Sequence, residues 1–312
     1  MAQTSQNSAA DIAHKPMMST AQILLMNVGF FGIQYSFGMQ QNAMSPIYQF
    51  LGASADEIPI LNLAGPVTGL LIQPLIGAMS DRTWSDKWGR RKPFFLIGAI
   101  GCSLFLFLMP FVTAVWMAVL CLWLLDASNN TAMEPYRAFI ADRLPSKQFA
   151  QGFLTQSLFI GAGSALAAGT LVVLEKTLAG ATAAGIPYWV FGAFMVGSVC
   201  SIGSVLISVL STKELPPTPE GLVELERKKR EEGPFGFLKD IGVAIVEMPR
   251  GLKKMALVYL FQWYAMNVFW QYLGLMCAVT YFGVNLSDPG YAETEAFNDA
   301  SGFAAGLMVV YY

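Results

Sequence analysis

Between Lys92 and Asp126 the chain reads KPFFLIGAIGCSLFLFLMPFVTAVWMAVLCLWLLD, with no charged side chain between its two ends. A bilayer core takes about 20 apolar helical residues, and lipid-exposed backbone must bond within its own segment, so such a run reads as membrane-spanning helix. It is too long for one span, which puts a turn at Pro110 to Ala114. Outward from it, charge is also absent between Lys15 and Asp56 and between Glu57 and Asp81. Charge-free runs place spans near Gln22 to Pro46, Ile58 to Ser80, Pro93 to Val112, Ala114 to Ile140, Phe149 to Leu174, Tyr188 to Ser211 and Met255 to Phe282. An eighth begins near Asn298 and runs to Tyr312; at 1.5 Å per residue it covers only about 22 Å of a core of about 30 Å. The chain therefore reads as an all-α membrane protein, carboxy-terminally truncated.

Composition agrees. Of 312 residues, 54% are hydrophobic and 13% charged, against roughly 25% charged in a soluble domain. With 19 Lys and Arg against 21 Asp and Glu, no basic excess points to nucleic acid. Cys102, Cys121, Cys200 and Cys277 all sit in apolar runs without metal or disulfide spacing, and read as packing residues.

Positive side chains set the orientation, because short cytoplasmic loops retain Lys and Arg. Arg82, Lys87, Arg90, Arg91 and Lys92 follow the second span, and Arg143 and Lys147 the fourth. Lys213, Arg227, Lys228, Lys229, Arg230, Lys239, Arg250, Lys253 and Lys254 follow the sixth, while Lys176 alone lies on the other side. This places a cytoplasmic tail at 1–21, a six-helix bundle at 22–211, a cytoplasmic connector at 212–254 and the start of a second bundle at 255–312. The tail shows no cleaved signal peptide, and its His14, the single histidine, reads as inert. Within the connector, Glu224/Lys228 and Glu226/Arg230 at i,i+4 spacing favour a short solvated helix over Leu222 to Glu232. Attraction of the connector to anionic lipid is the less favoured reading.

Ionisable residues inside spans are costly and mark function by default. Asp126, Glu134 and Arg137 qualify, all in the fourth span. Counting from Trp116, Asp126 lies ten residues in, which is about 15 Å and hence mid-membrane. At 100° per residue Asp126, Asn130, Met133 and Arg137 form one stripe. Burial there disfavours the charged carboxylate and Arg137 is too far to hold it ionised, so the acid can take up a proton on one side and release it on the other. The plainer reading is a structural acid bonded to Asn129, Asn130 or a neighbouring span. Glu134 reads as the i,i+3 partner of Arg137.

Neutral amides and indoles suit a polyhydroxylated neutral ligand. Candidates are Gln34, Gln40, Gln41 and Asn42 in the first span, Gln156 in the fifth, and Gln262, Trp263, Asn267, Trp270 and Gln271 in the seventh. Amides that merely link helices and indoles that anchor at the interface are the alternatives. Gly65 and Gly69, and Gly161, Ala165 and Gly169, repeat every four residues and read as close-packing stripes.

Gly77 to Lys92, GAMSDRTWSDKWGRRK, resembles the loop between the second and third spans of major facilitator carriers, with the insertion seen in sucrose carriers and the glycoside-pentoside-hexuronide:cation symporter group. GIQYSFGMQQNAMSPIYQFLG (Gly32 to Gly52), LAGPVTGLLIQPLIG (Leu63 to Gly77) and LLDASNNTAMEPYRAFIAD (Leu124 to Asp142) are similar to the same group. The seventh span, FQWYAMNVFWQYLGL, resembles bacterial members more than plant ones. The resemblance implies a major facilitator fold of two six-span halves, with Asp126 as the proton-coupling acid and Arg137 as a substrate-linked cation. It also implies a cytoplasmic gate of Asp81, Arg82, Arg90 and Arg91.

Together these lines predict a proton-coupled symporter taking up a neutral sugar, a disaccharide or other glucoside, across the cell (inner) membrane. The predicted binding set is Arg137, Gln34, Gln40, Asn130, Gln156, Gln262, Trp263 and Trp270. A sodium-coupled glycoside carrier or a non-transporting membrane sensor are the alternatives. No nucleophile with its base, nucleotide loop or metal motif is visible, so neither an enzyme nor a bound cofactor or metal is expected.

Overall fold

The computed structural model describes residues 15–233, 235–288 and 290–312; His14 and the tail before it lie outside the described residues. The described chain is helical throughout, apart from turns and one isolated bridge between Ala181 and Pro187. In order come α1 (Thr20–Asn27), α2 (Gly29–Phe50), α3 (Ile58–Leu61), α4 (Ala64–Asp81), α5 (Lys92–Leu108), α6 (Val115–Arg143), α7 (Phe149–Glu175), α8 (Tyr188–Ser211), α9 (Pro219–Glu232), α10 (Gly236–Val246), α11 (Arg250–Phe282) and α12 (Glu295–Tyr311). Four helical stretches, Ala55–Asp81, Lys92–Phe111, Ser146–Glu175 and Tyr188–Ser211, are long and apolar enough to cross a membrane by length and composition.

The expected turn after the third span is a short 3-10 segment, Met109–Phe111, followed by extended Val112 and Ala114. The first span differs from its expectation at both ends. It does not stop at Pro46, which lies inside α2. Ile47 and Tyr48 are fully buried one turn further on, and that packing carries the helix past the missing N–H and the crowding that proline imposes. Near its start the span breaks at Val28 between α1 and α2. The groups freed there find a partner in α6. Tyr136 Oη donates to the Met26 carbonyl at 2.6 Å and accepts from Gly29 N–H at 3.2 Å, while Ser208 Oγ also donates to Met26. A Cβ on Gly29 would stand 2.7 Å from that hydroxyl, so glycine is required for Tyr136 to reach the break.

α2 lies at the centre, packed on α7 and α8, with α5 between α6 and α8 and α4 against α6. Two apolar clusters fill it. Phe30, Phe95, Tyr136 and Phe139 lead the one toward the Arg91 end; Tyr35, Met39, Tyr48, Trp189 and Phe194 lead the one toward the Phe50 end. Close backbone approach uses a different register from the predicted stripes. Gly65 and Gly69 face open space, and Gly161 and Gly169 meet only the far end of α12. The tight crossings are Gly38 on Ser164 and Ala167, Gly163 on α2, Gly32 on Cys200 and Ser201, and Gly98 on Ser128 and Ala132. Spacing alone could not distinguish the two registers, because either row of small residues permits contact.

α11 and α12 touch the six-helix body mainly near the Phe50 end. Trp189 Nε1 donates to Asn298 Oδ1 at 3.0 Å, Phe50 meets Phe297 edge-on at 5.9 Å, and Tyr312 Oη bonds Gln41. The opposite half of α11, Arg250 to Ala265, is exposed along its length.

Gly29→Val is expected to lower unfolding stability by about 1–3 kcal/mol through overpacking, read as an earlier thermal transition in detergent. Gly203→Ala, inside α8 with nothing within 4 Å of its added carbon, is expected not to lower that transition and to raise it slightly, since alanine favours a helix interior over glycine by about 0.5–1 kcal/mol.

Candidate functional site

The polar core of the molecule is a junction of α2, α4 and α6 around Asp126. The sequence DASNN sets it up, since residues four apart share a helix face. Asn130 Nδ2 donates to the Asp126 carboxylate at 2.9 Å and to its backbone carbonyl at 2.9 Å. From α4, Thr68 Oγ1 bonds the same carboxylate oxygen, and Gln73 Nε2 donates to Asn130 Oδ1 at 2.6 Å. From α2, the Gln40 amide stands beside Asp126, and its Nε2 is buried without a hydrogen-bond partner. Asp126, Asn130 and Thr68 are 1%, 2% and 4% exposed. No salt bridge among the described residues involves Asp126. Behind the cluster, Asn129 accepts from Cys102 Sγ and donates to Ser36 Oγ at 2.8 Å, linking α6 to α5 and α2.

Thr68 has a property of chemical interest: its hydroxyl also reaches the Ala64 carbonyl at 2.9 Å. A hydroxyl carries one proton and two acceptor positions. It can donate to an ionised Asp126, or turn its proton to Ala64 and accept one from a neutral Asp126. The Asp126–Thr68 pair is thus bonded in either charge state.

The remaining predicted binding residues fall in several places. Gln34 is buried on α2 where Gly163 of α7 approaches within van der Waals contact. Gln156 is buried on α7 with Nε2 unpartnered. Gln262 and Trp263 are exposed on α11, away from Asp126, and Trp263 packs its ring on Trp270 at 6.0 Å between centroids. Arg137 has a half-exposed side chain 3.9 Å from Glu134 and does not contact Asp126. Trp270 does enter a site, but a separate one. It lines a small hollow with Gln271 of α11, Gln41, Asn42, Ser45 and Gln49 of α2, and Ser301 of α12. Trp270 Nε1 and Gln49 Nε2 are buried there with no partner. In this closed arrangement the hollow holds about one water molecule.

The predicted gate residues meet at the far ends of α4 and α5, with partners that spacing did not reveal. Arg91, 3% exposed, donates to Asp142 at 2.7 Å, to Asp81 at 2.5 Å and to Ser80. Burial opposes its charge, but Asp142 and Asp81 outweigh it and hold the guanidinium above its ordinary pKa. Glu214, beyond the end of α8, caps α5: its carboxylate accepts the amides of Arg90 at 2.8 Å, Arg91 at 2.9 Å and Lys92 at 2.8 Å. Anions suit a helix N-terminus, where unpaired amides converge; burial still pushes this carboxyl above the usual carboxylate range. Arg82 takes no part in that cluster. It bonds Glu232 of α9 and Asp240 of α10, the latter at 2.7 Å.

Thr68, Gln73, Asp142, Glu214, Glu232 and Asp240 are thus residues the sequence reading did not single out. Asp142, Thr68 and Gln73 lie inside motifs already quoted, but none of these positions distinguishes itself there; Glu214, Glu232 and Asp240 act over separations of up to 158 residues.

The profile of the Major Facilitator Superfamily matches residues 26–311. A sucrose transport protein of Arabidopsis thaliana is 30% identical over 188 residues, 53% of this chain and 36% of that protein. A general alpha-glucoside permease of Schizosaccharomyces pombe is 24% identical over 298 residues, 86% of this chain and 49% of that one. The chain therefore spans half or less of the length of these curated relatives. Among solved structures, a bacterial homologue of the human lysosomal transporter Spinster, inward-facing and unoccupied, superposes with a TM-score of 0.50 at 18% identity, covering 93% of this chain and 60% of that one. With the helical body, the α5-capping loop and the family match in agreement, this chain is a multi-pass membrane protein that belongs to the Major Facilitator Superfamily.

Proposed function

We propose that the protein works as part of a carrier that takes up a neutral sugar, of the disaccharide or glucoside class, together with a proton. The observation that carries the reading is Asp126 itself: a buried acid with no cation beside it, bonded by neutral groups that accommodate either charge state. The relatives support the substrate class, since one is described as a sucrose transport protein and another as an alpha-glucoside permease.

In this reading the amino terminus and the Arg91 end face the cytoplasm of a cell (inner) membrane, as the distribution of Lys and Arg implies. The Phe50 end then faces outward, where α11 and α12 close against α2, α7 and α8. The opposite half of α11, Arg250 to Ala265, is exposed. External acid protonates Asp126 and frees Asn130 to bond a sugar hydroxyl beside the unpartnered Gln40 amide; Trp270, Gln41 and Gln49 hold the sugar on the outer side. The bundles rock about the site, and Asp126 loses its proton inward. Arg137 is assigned the cytoplasmic exit, where it would meet the sugar rather than Asp126. Arg91 and Glu214 brace the cytoplasmic ends of α4, α5, α6 and α8, so that six helices move as one body.

Three outcomes are expected of the complete carrier in proteoliposomes. Asp126→Asn abolishes uphill sugar accumulation driven by external acid while sugar exchange survives in part; unchanged accumulation, or accumulation that follows sodium at a fixed pH gradient, contradicts the reading. Trp270→Ala raises the sugar concentration for half-maximal uptake several-fold, because a lost stacking face is worth about 1 kcal/mol. Arg91→Ala leaves Asp142 without its cation and lowers stability by about 3 kcal/mol, measured by thermal unfolding, with Arg91→Lys falling between.

A further inference from the structure

One surface is left over by this account. α10, GFLKDIGVAIV, packs on α4, but only Gly236, Phe237 and Ile241 lose much exposure to it. Leu238, Val243, Ile245 and Val246 are exposed, with Phe235 just ahead of the helix; Val246 reaches 76% and Phe235 72%. At 100° per residue, Ile245, Leu238, Phe235 and Val246 fall within one arc of about 100°. The helix is oriented, because Asp240 on the opposite side is tied to Arg82 at the end of α4. An exposed apolar arc of this kind on a soluble surface would be a liability.

Two observations name what covers it. The first is position: α10 packs on α4, part of a helical stretch long and apolar enough to cross a membrane, whose Leu70 and Leu71 further along are exposed and apolar. The second is charge. α10 ends in a short turn that enters α11, and Lys253 Nζ donates back to the Val246 carbonyl at 3.4 Å. Around that turn stand Arg250, Lys253 and Lys254, all exposed and without a salt bridge among the described residues. Glu247, the C-cap of α10, is the acid in that turn, and none follows it before Asp288, so the three cations exceed the acids there. An apolar helix face flanked by unpaired cations matches the boundary between acyl chains and anionic headgroups.

We propose that α10 lies in the membrane interface, its Phe235–Leu238–Ile245–Val246 arc among acyl chains and Arg250, Lys253 and Lys254 on anionic phospholipid headgroups. The connector is then a lipid-anchored arm rather than a solvated strap, and Arg82 links that arm to the gate loop. This rests on the chain spanning a bilayer and not on the sugar reading.

The test places an environment-sensitive fluorophore on Val246→Cys, in the carrier with its native cysteines replaced, reconstituted in phosphatidylcholine vesicles with or without phosphatidylglycerol. Leu238→Cys serves as a second position and Glu231→Cys, on the solvated α9, as the control. Emission from 246 and 238 should shift to the blue and be quenched by lipids brominated on their acyl chains, while 231 stays water-like. Quenching should weaken when phosphatidylglycerol is omitted, and when Arg250, Lys253 and Lys254 are changed together to Gln. Water-like emission at 246 and 238 overturns the proposal, as does emission shielded from water but untouched by brominated lipid, which would mean a protein cover. Quenching indifferent to both phosphatidylglycerol and the three cations overturns its anionic half. Sugar uptake does not enter any of these readouts, so they stand apart from the outcome at Asp126.

Discussion

A carboxyl group buried among neutral partners is the constraint on which the rest of this structure turns. An ion pair would fix the charge of Asp126, and apolar walls would strand it. Thr68, Asn130 and the nearby Gln40 do neither. They supply hydrogen-bonding capacity that reverses with the proton, and Thr68 passes the change on to the Ala64 carbonyl. Holding that arrangement needs three helices in fixed register. α4 and α6 are pinned by Gln73 to Asn130, and α6 is pinned to α2 by Asn129 to Ser36 and by Tyr136 in the break at Val28.

The same logic of satisfied groups organises the Arg91 end. Arg91 is buried with two carboxylates, and Glu214 takes up three amides at the start of α5. These bonds lie within the six-helix body and not between it and α11–α12. They tie the ends of α4, α5, α6 and α8 together within that body. α11 and α12 meet the body nearer Phe50, through α12 packed on α7, an apolar cluster of Ala168, Leu273, Cys277, Ala304 and Met308, and the bonds of Trp189 to Asn298 and Tyr312 to Gln41.

Much of this was legible in the chain. Helices were, because lipid forbids charge and the charge-free runs are long. Asp126 was, because a lone acid so far from either interface is conspicuous. The cluster around it was only half legible: Asn130 is four residues away, but Thr68 and Gln73 lie 58 and 57 residues upstream of their partners, and a threonine in a span carries no signal of its own. Glu214 is one acid among several in a polar connector, and nothing local marks a carboxylate that will cap a helix more than 120 residues earlier. α10 went unseen for another reason: Ile241 to Val246 is apolar but far too short to register as a span. The amide set predicted for a single site is scattered, with Gln40 and Asn130 at Asp126, Gln41 in the Trp270 hollow and Gln34, Gln156 and Gln262 at neither, because spacing gives a helix face and not the neighbour that the face will meet.

The central claim is that Asp126 changes its protonation as cargo crosses. Infrared difference spectroscopy of the reconstituted carrier measures this directly. The account predicts a carboxylic-acid carbonyl band that grows with external acid, responds to added sugar and is missing from Asp126→Asn. A spectrum in which no such band depends on Asp126, whatever the pH or sugar, would contradict it.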